Sequence, residues 1–165
     1  MTDYLLYAAY GSNLLRERLM VYIKGGVFMG REYVGSEDRS EPQDFGWVRV
    51  PYRLYFANSS PRWDNKGVAF LSIVKETNPD LFAIVRLWKI SAKQFEDIQE
   101  QEGSWYNEIL SLGQIEDIQI KTLTGNFENC KNEPSEKYLS IVKAGLKETT
   151  GWDDEKIEFY LKNFL

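Results

Sequence analysis

The chain has 165 residues, of which 43% are hydrophobic and 15% aromatic. A chain of this length can bury about two thirds of its unfolded surface in one core, so a single domain over residues 1–165 is predicted. Its formal net charge of −5 argues against binding to nucleic-acid phosphates. No apolar run approaches the roughly 20 residues that span a bilayer, and the first residues lack the pattern of a signal peptide. We therefore expect a cytoplasmic protein with no nucleic-acid partner and no membrane partner.

The chain contains no histidine and one cysteine, Cys130. Without histidine, the Ser-His-Asp and Cys-His mechanisms and the usual zinc sites are excluded, and acid–base chemistry falls to Asp, Glu, Tyr or Lys. Cys130 lies in a polar segment with no second Cys or His, which predicts a free loop thiol and not a nucleophile or a metal ligand. We expect no disulfide, no metal site, and a carboxylate as the acid–base group.

The first predicted element is a buried strand over residues 4–9, which ends at the segment Tyr10-Gly11-Ser12-Asn13-Leu14. A helical pattern follows, carried by Leu15, Leu19, Tyr22 and Ile23. Gly11 allows a tight turn or a close approach of the backbone to another group, and Ser12 or Asn13 can cap the helix. Free N–H groups at such a corner attract a carboxylate, a phosphate or a developing oxyanion. The same pattern also occurs in ordinary connections between a strand and a helix.

Residues 25–51 show no regular pattern and contain several glycines, Pro42 and an acidic-polar run. This composition predicts a long loop inside the domain, and such loops are usually lids, binding loops or disordered segments. Four aromatic side chains in the segment indicate that part of it packs onto the domain. We expect the loop to cover or border a pocket; a partly mobile surface excursion is the alternative.

The remaining elements are mostly strands until the last third of the chain. Strands are predicted at 52–57, 67–74, 81–90, 106–112 and 115–124, with a hairpin turn at 78–80 and another turn at Gly113. Ser91 and Gln94 form a capping-box pattern that starts a helix, and Gly103 is placed to stop it. Two more helices are predicted, one opening at Pro134-Ser135 and one at Asp153 or Asp154. This order predicts an α+β fold with a mainly antiparallel or mixed sheet.

The middle helix ends in Gln99-Glu100-Gln101-Glu102-Gly103, and Trp105 and Tyr106 follow it. The negative end of the helix dipole and partial burial would both raise the pKa of a glutamate here, which suits a general base near neutral pH. A solvated glutamate at a helix end is the alternative.

Together, Tyr10-Gly11-Ser12-Asn13-Leu14 and Glu100-Gln101-Glu102-Gly103 resemble the gamma-glutamylcyclotransferase family. The segment 56–59 with Trp63, and the segment 134–138, are similar to further parts of that family. The resemblance implies a small mixed or antiparallel β-barrel of about six strands with flanking helices. It also implies a cofactor-free reaction in which a gamma-glutamyl group cyclises to 5-oxoproline and releases an amine or an amino acid.

In this resemblance Glu102 is the general acid/base and the partner is a small-molecule gamma-glutamyl substrate. The substrate-binding residues that it implies are Tyr10, Gly11, Ser12, Asn13, Leu14, Tyr106 and Tyr138. The chain departs from the family in the long connection at 25–51 and in Thr122-Leu123, where some relatives place a pocket tyrosine. A non-catalytic small-molecule binding or regulatory domain on the same fold is the alternative function, and a homodimer is left open.

Overall fold

The computed structural model describes residues 2–165, which form nine strands and four α-helices. The strands are β1 (Tyr4–Ala9), β2 (Gly26–Phe28), β3 (Arg31–Tyr33), β4 (Gln43–Val50), β5 (Tyr52–Ser60), β6 (Lys66–Lys75), β7 (Ala83–Ser91), β8 (Glu108–Ile115) and β9 (Ile118–Thr124). The helices are α1 (Arg16–Lys24), α2 (Ala92–Glu102), α3 (Glu136–Thr150) and α4 (Asp154–Lys162). The predicted α+β class is confirmed. Within residues 2–165, no helix has both the length and the apolar character needed to cross a bilayer.

β1 is the central strand of a five-stranded mixed sheet in the order β4-β7-β1-β9-β8. It runs antiparallel to β7 and parallel to β9. Its side chains alternate between two hydrophobic clusters, which explains why the segment reads as a continuous apolar run. Leu6 and Ala8 pack into the larger cluster, whereas Leu5, Tyr7 and Ala9 pack into a smaller one together with residues of α1 and α2. The end of β1 is therefore held from both sides.

The sheet is open, so the predicted barrel does not close. β5 and β6 form a separate antiparallel hairpin that packs beside β9. The Thr124 hydroxyl connects the two sheets, because it accepts a hydrogen bond from Leu71 N (2.9 Å) and donates one to Leu71 O (2.6 Å). The predicted hairpin turn at 78–80 is also wrong, since β6 pairs with β5 while β7 pairs with β1 and β4. That segment connects two sheets.

The prediction of a loop over 25–51 is wrong for most of its length. β2 and β3 form a short hairpin, and β4 pairs with β7 along the edge of the main sheet. A bulge between Asp44 and Trp47, where Gly46 has a φ of +82°, interrupts the alternation that would have marked β4 as a strand. The intervening residues are fixed to α2: Ser36 donates to Asp97 Oδ2 (2.8 Å), and Gln94 Nε2 donates to Ser40 O (2.8 Å).

Local hydrogen bonds fix both ends of α2. Ser91 Oγ accepts from Gln94 N (3.1 Å), and Gln94 Oε1 accepts from Ser91 N (2.9 Å), which confirms the predicted capping box. At the other end Gly103 has a φ of +96° and its N–H donates to Gln99 O (3.2 Å). The predicted helix stop is confirmed, and Glu102 is the last residue of α2.

The turn between β8 and β9 lies farther along the chain than predicted. Gly113 sits within β8 at a bulge, not in a turn. The turn is made by Glu116 and Asp117, whose φ values are +52° and +66°. Asp and Asn adopt this left-handed conformation more readily than most residues, but a glycine is the stronger sequence signal. The prediction therefore followed the glycine and placed the turn at Gly113.

Candidate active site

β1 ends in a short 3₁₀ turn, Ser12–Leu14, and α1 begins only at Arg16. The turn is closed by Leu14 N, which donates to Gly11 O (3.1 Å), and by Leu15 N, which donates to Ser12 O (3.2 Å). The N-cap of α1 is Leu15, so the prediction that Ser12 or Asn13 caps this helix is wrong. Because the bonds of the turn begin at Leu14 N, the N–H groups of Ser12 and Asn13 lie outside its hydrogen-bond ladder. We call residues 11–13 the corner.

Gly11 lets the corner approach the neighbouring elements closely. A Cβ atom placed on Gly11 would lie 2.9 Å from Ala69 Cβ in β6 and 3.3 Å from the Tyr138 hydroxyl in α3. The first distance is shorter than any ordinary carbon–carbon contact. The φ of Gly11 is −120°, so the need for glycine comes from this close approach and not from a left-handed backbone. The predicted close approach is confirmed.

Asn13 joins the two sequence motifs. Its side chain is buried, and its Nδ2 donates to Glu102 Oε1 (2.8 Å) and to the Tyr7 hydroxyl (2.9 Å). An ionised carboxylate can only accept, so Glu102 fixes the orientation of the Asn13 amide. The other amide atom, Asn13 Oδ1, is buried and has no hydrogen-bond donor among residues 2–165. One acceptor beside Glu102 is therefore free.

Glu102 lies at the C-terminal end of α2, and part of it remains open to the cleft. Protein atoms surround its carboxyl group closely, and this loss of hydration raises the pKa of Glu102. The charge of Arg18, the hydrogen bond from Asn13 and the charge of Arg62 act in the opposite direction and only partly offset the rise. The predicted rise in the pKa is confirmed, with desolvation as its main cause.

Three tyrosine hydroxyls near Glu102 are held by the backbone. Tyr10 donates to Leu123 O (2.7 Å) and Tyr106 to Ala69 O (2.8 Å), while the Tyr138 hydroxyl accepts from Ala69 N (3.1 Å). Burial raises the pKa of all three, that of Tyr138 to about 12. At pH 7 they are neutral hydroxyls in fixed positions.

Two connected hollows surround Glu102. The inner chamber, about 30 Å³, is lined by Tyr7, Tyr10, Gly11, Ser12, Asn13, Ala69, Glu102, Tyr106, Leu123 and Tyr138. The outer cleft, about 350 Å³, shares Ser12, Glu102, Tyr106 and Tyr138 with the chamber and extends to Arg18, Arg31, Arg62 and Trp105. Two larger hollows, about 450 and 500 Å³, lie elsewhere and contain neither Glu102 nor a residue of the corner.

All the predicted site residues except Leu14 line the inner chamber. The Leu14 side chain is fully buried beneath the corner, where it packs against Gly145 of α3, and it lines neither hollow. The prediction that the Leu14 side chain binds substrate is wrong, because the 3₁₀ turn directs this side chain into the core. Leu14 contributes instead through its carbonyl oxygen, which accepts a hydrogen bond from the buried Arg86 (2.8 Å) and so anchors the corner.

Several residues that line the two hollows were not predicted as site residues, among them Tyr7, Arg18, Arg31 and Arg62. Tyr7 was assigned to the core of β1. Tyr7 lies two residues from Leu5 and from Ala9, so the three side chains share the side of the strand that faces α2. This period of two was the available signal. The three arginines come from α1, from the β2–β3 hairpin and from the turn after β5. No local sequence pattern connects them.

No family model matches the chain. A solved structure titled gamma-glutamyl cyclotransferase superposes on it with a TM-score of 0.70 at 23% identity, covering 96% of this chain and 86% of that one. Mouse gamma-glutamylcyclotransferase is 25% identical over 152 residues, which cover 87% of this chain and 70% of the mouse protein. The chain is gamma-glutamylcyclotransferase-like in fold and sequence. The resemblance predicted from the two motifs is confirmed.

Two longer proteins are also similar to this gamma-glutamylcyclotransferase-like chain, one in fold and one in sequence. YkqA from Bacillus subtilis superposes with a TM-score of 0.61 at 13% identity, over 98% of this chain and 54% of YkqA. Histone deacetylase 5 from Arabidopsis thaliana is 30% identical over an alignment of 202 residues that covers 94% of this chain. The chain spans 30% of the length of that relative.

Proposed function

We propose that the chain is a cofactor-independent enzyme of the gamma-glutamylcyclotransferase type, which cyclises a gamma-glutamyl group to 5-oxoproline. The observation that carries the proposal is the 2.8 Å hydrogen bond from Asn13 to Glu102 Oε1. This bond brings together, in one hollow, an acid–base group with a raised pKa and a corner with free backbone donors. General acid–base catalysis requires such a poised carboxyl group within reach of the reacting atoms.

The reaction needs no nucleophile from the protein. The α-amine of the gamma-glutamyl group attacks its own γ-carbonyl carbon, a new C–N bond closes the five-membered ring, and the original amide C–N bond breaks. The attacking ammonium loses two protons before it becomes the ring N–H, and the leaving amide nitrogen gains two before it departs as an ammonium. Glu102 accepts these protons from the first nitrogen and donates them to the second, one at a time. No water is consumed, and Glu102 ends in its starting protonation state. The enzyme contributes near-attack geometry, proton transfer and charge stabilisation.

The surrounding groups match these three tasks. In this proposal the N–H groups of Ser12 and Asn13, which lie outside the hydrogen-bond ladder of the 3₁₀ turn, bind the substrate carboxylate or the developing oxyanion. The free Asn13 Oδ1 is an acceptor for the substrate ammonium beside the Glu102 carboxylate. Because Tyr10, Tyr106 and Tyr138 are held by backbone bonds, the walls of the chamber are fixed before substrate arrives, which reduces the ordering cost of binding.

The alternative is a small-molecule binding or regulatory domain that keeps the chamber without turnover. We favour the enzyme because a binding domain has no need for a carboxyl group desolvated at the meeting point of both motifs. We assign no deacetylation to this chain, since its similarity to histone deacetylase 5 spans 30% of that protein. The cytoplasmic location and the absence of a metal or cofactor requirement stay predictions from the sequence.

A panel of gamma-glutamyl compounds tests the proposal. The purified chain is incubated with gamma-glutamyl amino acids, gamma-glutamyl amines and the matching α-glutamyl compounds, and 5-oxoproline and free amine are both quantified. We expect the two products in equal amounts from gamma-glutamyl compounds and none from the α-linked controls. Saturable binding of gamma-glutamyl compounds without release of 5-oxoproline would instead support the binding domain.

A further inference from the structure

The outer cleft is positively charged although the chain as a whole is acidic. The chain carries 20 basic and 25 acidic residues, yet the cleft is lined by Arg18, Arg31 and Arg62 and by a single carboxylate, Glu102. Within residues 2–165, no carboxylate oxygen lies within 4.0 Å of any of these three guanidinium groups. Arginines that form no salt bridge in an acidic protein indicate an anion-binding site.

The three guanidinium groups converge on one aromatic ring. Their central carbons lie 4.9 Å (Arg18), 5.8 Å (Arg31) and 5.3 Å (Arg62) from the centroid of the Tyr33 ring. Any two of them therefore lie within about 12 Å of each other, and cation–π contact with the ring offsets part of their repulsion. Three separate elements of the fold supply these side chains, so the cluster is a product of tertiary structure.

Arg18 is the buried member of the cluster, with 2% of its surface exposed. Its Nη2 donates to the Tyr22 hydroxyl (2.7 Å), but Nε and Nη1 are buried and have no acceptor among residues 2–165. A buried cation with unused donors is costly unless an anionic group completes its hydrogen bonds. The unused Nε and Nη1 donors of Arg18 thus point to a ligand bearing carboxylate or similar oxygens.

We propose that the outer cleft accepts a leaving group with two negative charges, namely an acidic amino acid whose amine is linked to the gamma-glutamyl group. This inference rests on the proposed function. With Glu102 ionised, the three arginines leave an excess of two positive charges in the cleft. The gamma-glutamyl unit contributes one carboxylate and one ammonium and is neutral overall. A leaving group with two carboxylates therefore balances the site, and its carboxylates match the forked geometry of guanidinium groups.

The test compares gamma-glutamylglutamate with gamma-glutamylglutamine, which differ only in the charge of the distal group. We expect kcat/KM for the glutamate compound to be about 10-fold higher or more, and the ratio to shrink as salt is raised. Arg62→Gln and Arg31→Gln should each reduce this ratio. Any effect of these variants on Glu102 changes kcat/KM for both substrates equally and therefore cancels in the ratio. Arg53→Gln, an exposed arginine outside the cleft, is the matched control and should leave the ratio unchanged.

Binding to Glu102→Gln protein, measured by calorimetry with the same two dipeptides, separates this inference from the proposed function. Tighter binding of gamma-glutamylglutamate supports the inference even if the wild-type chain turns over neither compound, a result that would refute the cyclisation. Equal affinities and equal kcat/KM values for the two dipeptides would overturn the inference and leave the cyclisation standing.

Discussion

Gly11→Ala should damage the corner by a predictable amount. The new Cβ would lie 2.9 Å from Ala69 Cβ, whereas carbon atoms pack best at about 3.5 to 4.0 Å, so one side must move by roughly 0.6 to 1 Å. Ala69 cannot move freely, because its N–H donates to Tyr138 and its carbonyl accepts from Tyr106. The corner must shift instead. A displacement of this size at a site that orients substrate costs about 100-fold in kcat/KM, and overpacking costs about 1–3 kcal/mol of stability.

The assay is 5-oxoproline release by the variant, together with urea unfolding to measure the loss of stability. Ala69→Gly in the same chain removes the atom that the new Cβ meets first, so the double variant should recover part of the lost kcat/KM relative to Gly11→Ala. If Gly11→Ala retains wild-type kcat/KM, the close approach of the corner to β6 does not matter for the site and the reasoning is refuted.

Four further predictions concern Glu102, Arg86 and Cys130. Glu102 must be ionised to accept a proton, so kcat/KM should rise with pH through a midpoint above the ordinary glutamate pKa, as a pH–rate profile will show. The folded state binds the Glu102 proton more tightly than the unfolded chain does. The contribution of Glu102 to stability therefore falls as the pH rises from its unfolded pKa to its folded pKa. Above that interval, the urea midpoint of Glu102→Gln should equal or exceed that of wild type. Arg86→Met removes the hydrogen bonds from Arg86 to Leu14 O, Asp44 and Glu148. Because the two carboxylates are 44% and 39% exposed, we expect the free energy of unfolding, measured in urea, to fall by about 2 kcal/mol, which is less than the loss for a fully buried ion pair. Alkylation of Cys130, an exposed thiol that lines neither hollow, should leave 5-oxoproline release unchanged, and a loss of activity with intact folding would contradict the proposed mechanism.

Elements with strong local signals were predicted well. Ser91 and Gln94 form the capping box of α2, and Gly103 ends it at a φ of +96°, so the sequence alone placed Glu102 at a helix end. β1 was recognised because a central strand buried on both faces is apolar throughout. These features depend on neighbouring residues only.

Features that depend on distant residues were not predicted. β4 is a strand because it pairs with β7, and its bulge hides the periodicity that a sequence pattern can detect. The orientation of the corner depends on a 3₁₀ turn that directs Asn13 toward Glu102 and Leu14 into the core. The arginine cluster depends on the β2–β3 hairpin lying beside α1, a long-range arrangement with no local signature.

The central claim is that Glu102 moves the proton in an intramolecular cyclisation. The most direct measurement compares the kcat for 5-oxoproline release of wild type, Glu102→Gln and Glu100→Gln on the best substrate of the panel. Glu100 is the matched control, since it lies on the same helix two residues earlier, is exposed and lines neither hollow. We predict that Glu102→Gln binds substrate but loses about 10² to 10⁴ in kcat, whereas Glu100→Gln is close to wild type. A Glu102→Gln chain that cyclises substrate at the wild-type rate would contradict the account.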